Sequence, residues 1–275
     1  MKNFSTFLIF ILSFNAFAVG TNIVIQPNAS GGGGTPSETW GATKGFYSNS
    51  ADKFLRAKLP NGTFHGKSAL SVCTILNLDM TVSAGSKWVF SQFDVETLTG
   101  KFIITWFNST FRFEVGDATS GTVSASPTRA DKNYHICAVY DGSLSGNTNR
   151  AKLYVDGVNL TGNVSGTVPA SILASPSYES DDMHILARSD SFGTINYNEG
   201  IIELTVFDKA LSSVEVTALY NSGSYADPTN VSYSPVASYW FGDNTNDTEE
   251  IVYDNVGVSH ARGYRFLSGD IVTMP

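Results

Sequence analysis

The chain has 275 residues, of which 42% are hydrophobic and 15% charged, and its formal net charge is −8. That balance suits a folded globular chain and excludes the disordered class, which carries fewer aromatics and more charge. An acidic excess with no run of Lys or Arg argues against nucleic acid and anionic membrane surfaces as partners, because both need clustered cations.

The N-terminus reads as a processing signal. Lys2, the apolar run 7–12 and the small residues of Ala16-Phe17-Ala18 predict a signal peptide over 1–18, with the mature chain starting at Val19. The apolar run is short for a membrane span, and no later stretch is long enough for one. These features predict a secreted or surface-displayed protein. Residues 19–36, with Gly31-Gly32-Gly33-Gly34, have the composition of a flexible linker. A globular part is expected over 37–228 and a C-terminal β segment over 229–275.

The globular part reads as strands between turns. Residues 69–76, 88–93 and 102–107 are rich in β-formers. Phe111-Arg112-Phe113-Glu114-Val115 alternates apolar and charged residues, the pattern of a half-buried strand. Residues 135–140 are apolar on both faces, as in a strand covered twice. Asp156-Gly157 between 152–155 and 158–160 predicts a hairpin with a type I′ turn. Residues 183–187 and 201–207 add two more strands. One helix stands out: Ser212 and Glu215 form a capping box before Val214, Ala218 and Leu219, and Asn221 and Gly223 end it.

Two cysteines, Cys73 and Cys137, sit in strand-like runs. Export permits a disulfide between them. A pair of small buried thiols also fits the pattern, and sequence alone sets no distance. With no histidine seen at zinc-ligand spacing, the pair argues against a metal centre.

Two stretches carry a resemblance. Residues 133–142 (Asn-Tyr-His-Ile-Cys-Ala-Val-Tyr-Asp-Gly) are followed by 151–158 (Ala-Lys-Leu-Tyr-Val-Asp-Gly-Val). Residues 200–212 then continue through Glu215 to Leu219-Tyr220-Asn221-Ser222-Gly223. In this order they resemble the signature of laminin-G-like domains of the concanavalin A-like lectin/glucanase superfamily, apart from Asn133 or Tyr134 in place of a leading Trp. The resemblance implies an all-β fold, an antiparallel two-sheet jelly-roll sandwich with one short helix. In the tail, 238–243 and 251–257 resemble the opening strand of another such domain, which predicts that the tail adds strands to the sandwich or to a neighbouring chain.

The functional signals are weaker. Glucanases of this fold place carboxylates as Glu-x-Asp-x-x-Glu along one strand. That motif is missing, and Glu199 with Glu203 lacks the middle Asp. No Gly-x-Ser-x-Gly elbow and no His-Glu-x-x-His are present. The expectation is therefore a non-catalytic adhesion or binding protein that recognises a glycan or an extracellular protein. The alternatives are a subunit of an oligomeric fibre or surface layer and an atypical glycoside hydrolase. For sugar binding, the loop 189–199 offers Asp190, Tyr197 and Asn198. The resemblance also implies calcium at the sandwich rim, for which Asp181 and Asp182, or the turn 243–247, supply oxygens. A solvated acidic turn is the better account of each.

Overall fold

The structure is a computed structural model that describes residues 44–48, 53–60, 62–78, 86–93, 99–117, 120–127, 132–162, 164–172, 181–188, 199–229, 232–244, 246–248, 250–257, 259–264 and 270–273. Residues 1–36, the expected signal and linker, and the sugar-site candidates Asp190, Tyr197 and Asn198 lie outside these.

In chain order the strands are β1 (Lys44–Ser48), β2 (Phe54–Leu59), β3 (Ala69–Leu78), β4 (Ser86–Gln92), β5 (Lys101–Phe107), β6 (Thr110–Gly116), β7 (Gly121–Ala125) and β8 (Lys132–Asp141). A single helical turn, α1 (Asn147–Arg150), leads to β9 (Ala151–Val155), β10 (Val158–Asn159), β11 (Val164–Ser165), β12 (Asp181–Ile185) and β13 (Glu199–Phe207). Helix α2 (Ser213–Tyr220) precedes β14 (Pro235–Trp240), β15 (Ile251–Val252), β16 (Ala261–Tyr264) and β17 (Ile271–Thr273). They form two antiparallel sheets. One runs β10-β9-β8-β3-β13-β1-β17, with β14 also on β13; the other runs β11-β7-β6-β5-β4-β12-β2-β16-β15. Among the described residues, no helix is long and apolar enough to cross a membrane.

Alternation explains the layers. In β6, Phe111, Phe113 and Val115 point into the core while Arg112 and Glu114 point out. Those rings meet side chains from the facing sheet: Phe111 lies 5.6 Å from Tyr134, edge to face. Strands β3, β8 and β13 are buried on both faces. Their inner residues join the main core, and the outer face of Cys73, Cys137, Val139 and Phe207 packs under Leu211, Val216 and Leu219 of the helical segment.

The local signals act as expected. Ser212 Oγ accepts from Glu215 N (3.2 Å), and Glu215 Oε2 accepts from Ser212 N (2.8 Å). Asn221 closes α2 in the left-handed region at φ 46°. Asp156 and Gly157 have φ of 52° and 75°, the pair of positive values that a type I′ turn needs. Cys73 and Cys137 are directly opposite in the β3–β8 register and joined by a disulfide. Cross-linking positions 64 residues apart restricts the unfolded chain by an entropy worth about 4 kcal/mol.

The tail belongs to both layers. β13 is longer than its neighbour β1, which pairs with residues 199–201; β14 takes over along 203–207. β17 then pairs with β1, and β16 extends the other sheet beyond β2. A buried ion pair, Lys53 Nζ to Asp270 Oδ1 at 2.8 Å, joins the tail to the start of β2. The boundary expected at residue 228 therefore separates no independent layer. The Asp of the tail motif has a structural task. Asp254 Oδ1 accepts from Ser238 N and Val256 N (3.0 Å each), and Oδ2 accepts from Ser259 N (3.3 Å). Gly257 follows because a Cβ there would lie 2.8 Å from Asp254 Oδ2.

Replacing Asp254 with Ala leaves the buried Ser238 amide without its acceptor. Charge-assisted bonds of this kind set the expected loss at about 2–3 kcal/mol in urea unfolding. An unchanged midpoint would show that the tail is not anchored this way.

Candidate functional site: an open sheet face and a sealed cavity

The outer face of the nine-stranded sheet carries chemistry from residues distant in sequence. Register aligns Arg262, Arg56, His184, Ser91, Ile103, Glu114 and Thr122 in one row across β16, β2, β12, β4, β5, β6 and β7. A second row holds Trp88, Thr105, Arg112 and Ser124. Trp88 reaches this face because the ladder shifts between Trp88 and Phe90, where Val89 is the extra residue of a bulge.

The end of β12 is built against that bulge. Leu186 N donates to Val89 O (3.0 Å), and Ser91 Oγ donates to Ala187 O (2.8 Å). Leu186 has φ 62°, a left-handed conformation that is costly for a leucine. Its side chain is buried in the core, which holds it there. The chain so turned carries the Arg188 guanidinium to 5.2 Å from the Trp88 ring centroid and 5.9 Å from that of Phe93. On the neighbouring strands, the Arg112 guanidinium lies 4.1 Å over the Phe107 ring. The result is a half-buried indole flanked by a cation and by the Thr105 hydroxyl, a surface that can stack on an apolar ring face and bond to hydroxyls around it.

The carboxylates of this face are engaged. Glu114 Oε1 accepts from Lys101 Nζ (2.9 Å) and from Ser120 Oγ (2.5 Å). Asp182 is ion-paired with Arg56. The guanidinium held against Asp182 puts positive charge beside a carboxylate that a bound cation would need free. The other candidate turn is also internally bonded. Asp243 Oδ2 accepts from Lys44 N (3.0 Å); Asp247 accepts from Gly242 N (2.9 Å) and Tyr253 N (2.8 Å). His184 is buried in this face beside Phe54. Burial, then the nearby Arg56 charge, pushes its pKa down to about 4.

A second cluster lies beneath α2, on the outer face of the other sheet. Cys73, Ile75, His135 and Glu203 line a small cavity closed by Leu219, Tyr225, Ala226 and Pro228. The His135 ring stacks on Tyr220 at 6.1 Å and lies 6.0 Å from Tyr225. Burial lowers its pKa to about 3. Glu203 is hydrogen-bonded to Thr205, whose Oγ1 lies 2.8 Å from Ser238 Oγ. Burial pushes the Glu203 pKa up to about 8, so it is mostly a neutral acid at pH 7. The sequence missed this grouping: His135, two residues before Cys137 on the same strand face, stands against the cysteine pair after all.

The concanavalin A-like lectin/glucanases superfamily model matches residues 53–217. No curated protein matches the chain in sequence. Among solved structures, it is similar to a putative carbohydrate binding protein from Bacteroides ovatus, with 16% identity and a TM-score of 0.56 over 85% of this chain and 62% of that one. The chain thus spans less than two thirds of that relative. It is also similar to a heptameric SAP-like pentraxin from Limulus polyphemus, with 16% identity and a TM-score of 0.50 over 80% of this chain and 94% of that one.

Glu203 and the buried histidines act on stability in opposite pH ranges. A raised carboxyl pKa means that the Glu203 contribution is fully present below about pH 4.5 and is lost as pH rises through about 8. The lowered pKa values of His135 and His184 give contributions present above about pH 6.5 and lost as pH falls toward 3–4. Glu203→Gln keeps the shape and cannot ionise. Its melting temperature relative to wild type should therefore climb steadily between pH 4.5 and 8; a parallel pair of pH profiles would contradict this assignment.

Proposed function

Because the chain belongs to the concanavalin A-like lectin/glucanase superfamily, we propose that it is a secreted, non-catalytic binding module that holds a glycan on the outer face of its nine-stranded sheet. The observation that carries this reading is the half-buried Trp88 with the Arg188 guanidinium over it and Thr105 and Arg112 in register beside it. A sugar presents an apolar C–H face for the indole and hydroxyls for the guanidinium and the threonine. Superfamily and fold alone would leave the ligand open, since function lives in sites built on a fold. The Bacteroides ovatus relative is described as carbohydrate-binding, which agrees with this reading.

Binding without cleavage is supported by the state of the carboxylates. Glycoside hydrolysis needs one carboxylate free to attack or to activate water and another to protonate the leaving group. Glu114 and Asp182, the carboxylates of the two rows and their margin, are held by Lys101 and Arg56. Glu203, whose pKa is raised to about 8, is buried under α2 on the opposite sheet, and Asp247, also raised by burial, accepts from Gly242 N and Tyr253 N in the tail turn. The fibre alternative gains less support: β10, β11 and β15 are two residues long, and short edge strands oppose edge-to-edge growth.

A glycan array probed with the chain from Val19 onward, with and without calcium, tests the proposal. The expected result is binding that persists in chelator and falls by more than about tenfold in Trp88→Ala and in Arg188→Ala, with circular dichroism unchanged. Release of reducing sugar from a bound glycan would refute the non-catalytic reading, and equal binding by both variants would move the site elsewhere.

A further inference from the structure

The cavity beneath α2 is not used by the proposed binding face, and its chemistry is of another kind. Cys73 Sγ, Cys137 Sγ and a ring nitrogen of His135 all lie within 4.8 Å of one another. The backbone enforces this. Cys73 and Cys137 are opposite in the β3–β8 register, and His135 is two residues before Cys137, on the same face. His135 is only 3% exposed. Its Nδ1 has no hydrogen-bond partner, and Nε2 has a sulfur contact at 3.6 Å to Cys137. A buried imidazole left this poorly satisfied is costly.

We propose that, once the Cys73–Cys137 disulfide is reduced, the two thiolates and His135 form a site for a thiophilic divalent cation, zinc by preference. Two electrons and two protons from a dithiol, which is itself oxidised to a disulfide, open the bond to two thiols. The cation then displaces both thiol protons and takes a lone pair from an imidazole nitrogen. Tetrahedral zinc with sulfur and nitrogen ligands needs ligand-to-ligand separations of about 3.3–3.8 Å, within reach of these side chains by rotation alone. Three protein ligands leave the fourth position for water. Soft sulfur and imidazole donors, with little room for the many oxygens that calcium takes, select zinc or its cobalt analogue. The rings of Tyr220 and Tyr225 lie over His135 and limit how much water can reach the site. The two states exclude each other: sulfurs bonded to one another cannot both act as thiolate ligands.

The test uses the full mature chain, reduced with a phosphine under anaerobic conditions and titrated with cobalt(II). Expected are one cobalt per chain, a thiolate-to-cobalt charge-transfer band and intense tetrahedral d–d bands, all displaced by zinc. The disulfide form should show none of these. His135→Gln should weaken binding by more than about tenfold while leaving the disulfide form folded. The same affinity in His135→Gln, octahedral spectra alone, or loss of the β-sheet circular dichroism on reduction in excess zinc would each overturn the proposal.

Discussion

The structure depends on covering β3, β8 and β13 on two sides. These strands are the middle of the eight-stranded sheet, and they are apolar on both faces. The facing sheet covers one side. The other is left to the eight residues of α2 and the segment that follows it, because the chain crosses that face nowhere else among the described residues. So small a cover must be fixed firmly. The capping box at Ser212 sets the entry of α2. Ser71 Oγ then accepts from Leu211 N (3.0 Å) and donates to Lys209 O (2.8 Å), which ties the same turn to β3. The disulfide links β3 and β8 directly beneath this cover.

This constraint divides the two faces of the molecule by function. The face under α2 is largely buried, so its polar groups act on stability: a neutral Glu203, an imidazole that stays uncharged, a cross-link. Among the described residues, neither helix lies over the outer face of the nine-stranded sheet. Ser91 and His184 are buried in it, whereas Glu114, Thr105 and Arg112 stay half-buried, and ion pairs such as Lys101–Glu114 are worth little to stability at such exposure, so they shape a surface more than they hold a fold.

Much of the fold was legible because it is local. The alternation in 111–115, the Asp156-Gly157 turn and the Ser212 cap each act within a few residues, and each stands where the sequence places it. The double burial of 135–140 was legible too, since no strand with one wet face would carry Ile136, Cys137, Ala138 and Val139 in succession. The tail was harder. Its Tyr239 is buried and donates to Ser259 O, but whether such a run closes its own sheet or joins another depends on β13 being longer than β1, a fact of pairing and not of composition.

The sites were least legible, for a physical reason. Trp88 and Arg188 are 100 positions apart, and what joins them is a one-residue bulge at Val89 and a left-handed Leu186, neither of which leaves a periodic mark in sequence. Reading 88–93 as a regular strand puts Trp88 and Phe90 on one face; the extra residue separates them and turns the indole outward while Phe90 stays in the core. The carboxylates take part in pairing of another kind. Asp182, a candidate ligand in the sequence, is ion-paired with a guanidinium, and Asp254 of the tail motif accepts from three backbone amides. Asp182 and Asp254 thus serve first the cation and the amides that folding strands near them. Ligand chemistry is left to the residues that pairing register brings together across the open face.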